Sequence, residues 1–289
     1  MSATLDDWLR IARTRIDSRD AQVLAAHALG CDRAALIARG RDPLAAAQLD
    51  VLDRLLARRA AGEPVAYLVG RREFFGLELA VAPGVLIPRP ETELLVERAL
   101  DCIATLRAPR VLDAGTGSGA IALAIKSQCP DAQVTAIDRS NAALAIARDN
   151  ARRLGLEVNF VASNWLDALQ SHQFDCIVSN PPYIRAGDPH VAQGDLRFEP
   201  LDALVSGDDG LDALRTVCGT APARLAPEGW LLCEHGYDQA LVVRALMRSA
   251  GFADVSSWRD LAGIERVSGG MQQQEQGGHP TQGSGVVQR

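Results

Sequence analysis

Two hydrophobic periods divide the chain. From residue 1 to 62 apolar positions recur every three or four residues. Leu5, Trp8, Leu9, Ala12 and Ile16 make one stripe, and Leu49, Leu52, Leu55 and Leu56 another, the spacing of one helix face. Ser18 is read as the N-cap of a helix over 20–29 that stops at Gly30. A short helix over 34–38 follows Asp32, and Pro43 opens a long helix that runs to Ala61 and ends at Gly62. From residue 110 the pattern changes to short apolar, β-branched runs alternating with helical stretches. Strands are predicted at 110–114, 133–137, 158–162, 174–179 and 229–234, and helices at 120–127, 141–154, 211–225 and 239–250. Runs at 255–258 and 264–267 complete the set. Repeated βα units of this length imply an α/β fold with a doubly wound, mostly parallel sheet.

Between these regions lies a linker, residues 63–90. Its alternation of Leu77, Leu79 and Val81 predicts one arm of a β-hairpin, and Pro90 suits the first turn of a helix carrying Leu94, Leu95 and Leu100. Arg89, between Pro88 and Pro90, is held extended and exposed. The expected organisation is a helical domain over 1–62, the hairpin linker, an α/β domain over 91–268, and a Gly/Gln-rich tail over 269–289. The tail's near lack of apolar residues predicts disorder.

Composition narrows the function classes. The 289 residues allow two domains, and 47% hydrophobic with 23% charged residues is the balance of a soluble globular protein. The net charge of −6 argues against a strongly basic nucleic-acid binder. Arg54, Arg58, Arg59, Arg71 and Arg72 form a local basic cluster, read first as a solvated face and second as a surface for an acidic partner. No apolar run reaches the ~20 residues of a membrane span, and the N-terminus lacks a basic-then-apolar leader pattern. A cytoplasmic location is expected. The six cysteines contain no C-x-x-C pair and the five histidines no metal-ligand spacing, so reduced thiols and no metal are expected.

Candidate chemistry gathers at strand ends, where open α/β sheets bind ligands. Asp113-x-Gly115-x-Gly117-x-Gly119 follows the 110–114 strand with Thr116 and Ser118 interleaved. G-x-G-x-G is tighter than the fingerprint that seats a pyrophosphate, yet its glycines permit close backbone approach. Asp138, at the end of the next strand, is placed to accept both ribose hydroxyls of an adenosine. After the fourth strand comes Asn180-Pro181-Pro182-Tyr183. The prolines stiffen the turn and offer carbonyl acceptors with no competing N–H, and Asn180 adds a side-chain oxygen. Such a seat suits an incoming planar NH₂ group, and a purely structural turn is the alternative.

The glycine motif with Asp138 resembles class I S-adenosylmethionine-dependent methyltransferases, a Rossmann-like fold whose cofactor carries no pyrophosphate. The resemblance implies cofactor contacts from Gly115, Thr116, Gly117, Ser118, Gly119, Asp138, Trp165 and Asn180, with Trp165 packing on the adenine and Asn164 bonding its edge. Asn-Pro-Pro-Tyr marks the members that methylate planar NH₂ nitrogens. By itself it does not separate adenine in DNA, guanine in RNA and glutamine in protein.

Further segments carry a closer resemblance: Gly62-Glu63-Pro64-Val65-Ala66-Tyr67-Leu68, Arg72-Glu73-Phe74, Leu86-Ile87-Pro88-Arg89-Pro90-Glu91-Thr92-Glu93 and Arg197-Phe198-Glu199-Pro200-Leu201. With the motifs above they resemble the HemK-type (PrmC-type) peptide chain release factor glutamine methyltransferases over residues 1–268. The resemblance implies methyl transfer from S-adenosyl-L-methionine to the glutamine of the Gly-Gly-Gln motif in class 1 release factors. It implies Asn180, Pro181 and Tyr183 as catalytic residues, and substrate contacts from Pro182, Arg89 and Phe198. The helical domain and hinge are expected to dock the release factor, with no direct nucleic-acid binding. The rival readings are a DNA or RNA amino-methyltransferase and a non-catalytic adapter. One position departs from the pattern: Asn164 stands where the family usually has Asp, which predicts somewhat weaker cofactor binding.

Overall fold

A computed structural model describes residues 3–169 and 173–273. The N-terminal stripe folds as predicted into helices: α1 (Leu5–Ala12), α2 (Ser18–Leu29), α3 (Arg33–Ala38) and α4 (Ala46–Ala60). Leu5, Trp8, Leu9, Leu36, Leu52 and Leu56 form their shared core, and the Trp8 indole N–H donates to Asp53 at 3.0 Å. The boundaries differ from the sequence reading for local reasons. Asp17, not Ser18, caps α2, its carboxylate accepting from the Arg19 amide at 2.7 Å. Pro43 lies outside α4, because it pairs with Thr4 in an isolated bridge that ties the chain start to the α3–α4 turn.

In the linker, α5 (Val65–Val69) is a single helical turn that the sequence reading passed over. Gly70, at φ +72°, ends it. The predicted hairpin is present as β1 (Arg71–Phe74) and β2 (Leu77–Ala80), antiparallel, with Phe74 and Leu79 buried against the α/β core. A short 3-10 turn, Pro90–Thr92, leads into α6 (Glu93–Ile103).

The remainder alternates strand and helix: β3 (Arg110–Ala114), α7 (Ala120–Gln128), β4 (Gln133–Asp138), α8 (Asn141–Leu154), β5 (Asn159–Ala162), β6 (Phe174–Ser179), α9 (Asp212–Thr220), β7 (Leu225–Glu234), α10 (Ala240–Ser249), β8 (Phe252–Arg259) and β9 (Glu265–Gln272). The seven strands lie in the order β5-β4-β3-β6-β7-β9-β8. The first five are parallel, and β9 runs antiparallel to both β7 and β8. Buried runs such as Val111-Leu112 and Cys176-Ile177-Val178 divide their side chains between two cores, one on each face of the sheet. The strand order reverses between β3 and β6. That reversal opens the crevice where α/β sheets take ligands.

The expected tail is corrected at its start. Residues 269–272 belong to β9, paired in register with β7 at Leu231↔Gly270 and Leu232↔Gly269. The glycines are there because the strand is crowded. A Cβ at Gly269 would lie 2.4 Å from Leu232 and 3.0 Å from the Trp258 ring, and one at Gly270 would lie 2.8 Å from the Phe252 side chain. Residues 274–289, the rest of that expectation, lie outside the described residues.

Candidate active site

Most of the candidate side chains stand at or just after the carboxyl end of a parallel strand. After β3, the amides of Gly115 and Thr116 both donate to the Ile137 carbonyl at 2.9 Å, which draws the glycine loop onto β4. Gly117, at φ +55°, turns its amide onto the Asp138 carboxylate at 2.9 Å. A Cβ there would meet no protein atom within 4 Å, so conformation and not crowding requires glycine. Gly119 serves another purpose. Its missing Cβ would lie 3.2 Å from Ala147, so it lets α7 pack onto α8.

Asp113 underpins this loop. It is fully buried, and its Oδ2 accepts from the Thr116 hydroxyl at 2.6 Å and the Ala122 amide at 3.2 Å. Burial pushes its pKa up to about 7 against the pull of those two bonds. Asp138 ends β4, its other oxygen accepting from the Ser140 amide at 2.8 Å. Beyond β5 the chain turns at Trp165, held at φ +47° while the Ser163 hydroxyl donates to its carbonyl at 2.6 Å. A bulky residue in this region is strained and marks a shaped turn.

Across the crevice, the Ser179 hydroxyl donates to the Ala114 carbonyl at 2.7 Å, locking the ends of β6 and β3 together. Asn180 follows. Its side-chain N–H donates to the Thr92 hydroxyl at 3.1 Å, which turns Oδ1 away from Thr92. Tyr183 points inward, its hydroxyl donating to Glu234 at 3.2 Å. Burial and that carboxylate push the phenol pKa well up, so it remains a donor.

These elements enclose a cavity of about 420 Å³, within the range of small-molecule sites. Of the expected residues, Gly115, Gly117, Asp138, Trp165, Asn180, Pro181 and Pro182 line it, as does Asn164. The others stand elsewhere. Thr116 is turned onto Asp113, and Ser118 is buried with its carbonyl accepting from Asn150 at 2.9 Å. Both shape the loop. Tyr183 packs behind the wall, against the second core. Arg89 is paired with the buried carboxylate of Glu199, whose other oxygen accepts from the Ile87 amide at 2.9 Å. Phe198 lies at the surface beneath the Arg197 guanidinium, 4.9 Å from the ring centre. The basic cluster is largely neutralised: Arg58 pairs with Glu63, Arg59 with Asp20 and Asp195, and Arg71 with Glu78.

The sequence reading missed Thr92, Glu199 and Glu234. Glu234 had a signal, since it ends a predicted strand as Asp113 and Asp138 nearly do. The structure also adds Gly84, Val85 and Leu86 from the linker, and Leu201 and Asp202 from the loop after β6, to the cavity wall. No described helix is long and apolar enough to cross a membrane.

Comparison with known proteins places the chain among methyltransferases. A methyltransferase small domain model matches residues 90–195, and a PrmC N-terminal domain model matches residues 8–70. The release factor glutamine methyltransferase of Burkholderia pseudomallei is 57% identical over 275 residues, covering 93% of this chain and 96% of that protein. The Escherichia coli enzyme of the same name is 44% identical, covering 90% and 96%. Among solved structures, a methyltransferase from Pyrococcus furiosus superposes with a TM-score of 0.53 at 20% identity, covering 76% of this chain and 99% of that one. That last likeness is one of fold.

Proposed function

We propose a function from one premise: this chain belongs to the release factor glutamine methyltransferase family. It transfers a methyl group from S-adenosyl-L-methionine to the side-chain amide nitrogen of the glutamine in the Gly-Gly-Gln motif of class 1 release factors. One observation supports this most directly. The Asn180-Pro181-Pro182 wall and the Gly115, Gly117 and Asp138 wall face a single cavity.

The residues present fit the cofactor. Two glycines at positive φ bring backbone close to the cavity, Asp138 presents a carboxylate for paired hydroxyls, and Asn164 and Trp165 line the cavity, the Trp165 ring beside Gly115. When bound, S-adenosylmethionine supplies a methyl group made electrophilic by its sulfonium. The chain supplies positioning. An amide lone pair is delocalised, so the glutamine nitrogen is a poor nucleophile that must be held in line. Asn180 Oδ1 and the Pro181 carbonyl accept its two N–H bonds and stabilise the positive charge that develops on nitrogen. The methylated nitrogen is then acidic enough to lose its proton to water. No base is required at the site.

The helical domain, 1–62, and the linker, 63–90, are proposed to dock the release factor. The alternating Arg and acid pairs there make shape, more than net charge, the basis of docking. The acidic net charge supports a protein with no direct nucleic-acid binding, and the cytoplasm is the proposed location. Incubation with labelled S-adenosylmethionine and release factor, its Gly-Gly-Gln→Gly-Gly-Ala variant, DNA or RNA tests the reading. Label is expected on the unaltered factor alone. Equal label on the variant, or label on nucleic acid, would overturn it.

A further inference from the structure

An asparagine that grips a substrate amide has a problem of orientation. Its side chain offers an acceptor in one flip and a donor in the other, and the two ends have nearly the same shape. With the donor end inward, two NH₂ groups would face each other. Something must hold the oxygen inward.

We propose that Thr92 and Glu234 are positioning residues that set the flip of Asn180 and thereby its use as an acceptor. The proposal rests on the functional reading above. The Thr92 hydroxyl accepts from Asn180 Nδ2 at 3.1 Å. Thr92 is 4% exposed, so water does not replace it as a partner. A hydroxyl can serve as acceptor in that direction only while its own proton points elsewhere. Glu234 provides the destination. It is 2% exposed, Thr92 lies beside it, and an ionised carboxylate is acceptor-only. Its Oε1 takes the Tyr183 hydroxyl at 3.2 Å, and its buried Oε2 has no hydrogen-bond partner among the described residues, which leaves it open to take the Thr92 proton. The same carboxylate therefore serves both ends of the Asn-Pro-Pro-Tyr segment: one oxygen bonds Tyr183 directly, and the open one is the acceptor toward which the Thr92 hydroxyl turns its proton, away from Asn180.

The groups around Glu234 make its charge state adjustable. Burial raises its pKa to about 7. The hydroxyls of Thr92 and Tyr183 and the Arg266 guanidinium from β9 pull it down, and Glu91, beside Thr92 in the chain, pushes it up. Ionised, it holds both hydroxyls as donors. Protonated, it competes for a donor's role and releases the Thr92 proton toward Asn180.

Thr92→Val keeps the shape and removes the acceptor. Its kcat on release factor is expected to fall ~10-fold or more, the scale of one lost buried hydrogen bond, while the Kd for S-adenosylmethionine and the KM for release factor change by less than about twofold. Thr92→Ser, which keeps the hydroxyl, is expected to restore kcat. In the unaltered protein kcat rises as pH rises through about 7, the value to which Glu234 is pushed, and Glu234→Gln loses that limb. Asp113 is held near the same pH, but it supports the glycine loop and reports in cofactor Kd, which is measured in parallel. An unimpaired Thr92→Val, a Thr92→Ser no better than it, or an unchanged pH limb in Glu234→Gln overturns the proposal. No methylation by the unaltered protein would overturn the functional reading and this proposal with it.

Discussion

The two walls of the cavity are built on different principles. The cofactor wall is assembled from short-range geometry. Gly117 and Asp138 meet because β3 and β4 are neighbours in strict parallel register, and Asp138 spends its second oxygen on Ser140, two residues on. The acceptor wall is assembled from distant parts. Asn180 takes its partner from Thr92, 88 residues earlier, and Tyr183 from Glu234, 51 residues later. The first wall depends on what the backbone can do. The second depends on which side chains the fold brings together. Damage should therefore appear as lost affinity on one side and lost turnover on the other.

Asn180→Ala is the strongest test of that division. It removes the acceptor at the reacting nitrogen and is expected to lower kcat by ~10²–10³, as loss of an oxyanion-hole donor does. The complex with release factor should still form in a binding assay. Loss of the complex in step with activity would move Asn180 from chemistry to docking. Next in size is Asp138→Ala. Losing a charged hydrogen-bonding partner costs ~1.5–3 kcal/mol, so titration should show S-adenosylmethionine binding on the order of 10- to 100-fold weaker, with kcat little changed at saturating cofactor. Unaltered affinity would take this carboxylate out of the cofactor wall.

Asn164→Asp is the smallest and sharpens the comparison. The substitution introduces the acid that the family resemblance leads one to expect, but Asn164 already donates to Asp167 at 3.3 Å. A carboxylate there would face a like charge. The expected tightening of cofactor binding is below about fivefold, on the scale of exposed charge pairs. A larger gain would mean that Asp167 moves aside.

Legibility followed the same division. The glycine loop and the Asn-Pro-Pro turn were readable because positive φ and fixed proline φ are properties of single residues, and Asp138 because it ends an apolar run that reads as a strand. Thr92 was readable only as part of a resembling segment, and its bond to Asn180 was not readable at all. Arg89 shows the reverse case. Its setting between two prolines predicted an extended, exposed side chain, but it is half-buried, and its partner is Glu199 in the loop after β6 and not the cavity. The basic cluster also changed meaning, since Asp20, Glu63, Glu78 and Asp195 neutralise charges that look free along the chain.

Gly269 and Gly270 draw the line most clearly. In sequence they open a Gly/Gln-rich stretch with the composition of a tail. In the fold they are the part of β9 where Leu232, Trp258 and Phe252 leave no room for a side chain. Composition reports what a segment cannot bury by itself. It does not report what neighbouring strands will bury against it. The sequence by itself determined the helical and βα periods, the glycine loop, the stiff acceptor turn and the family. The tertiary structure alone decided which way Asn180 faces, where Arg89 is spent and where the sheet ends. Each of those is a choice of partner across many residues, and a partner is selected by packing, not by local backbone preference.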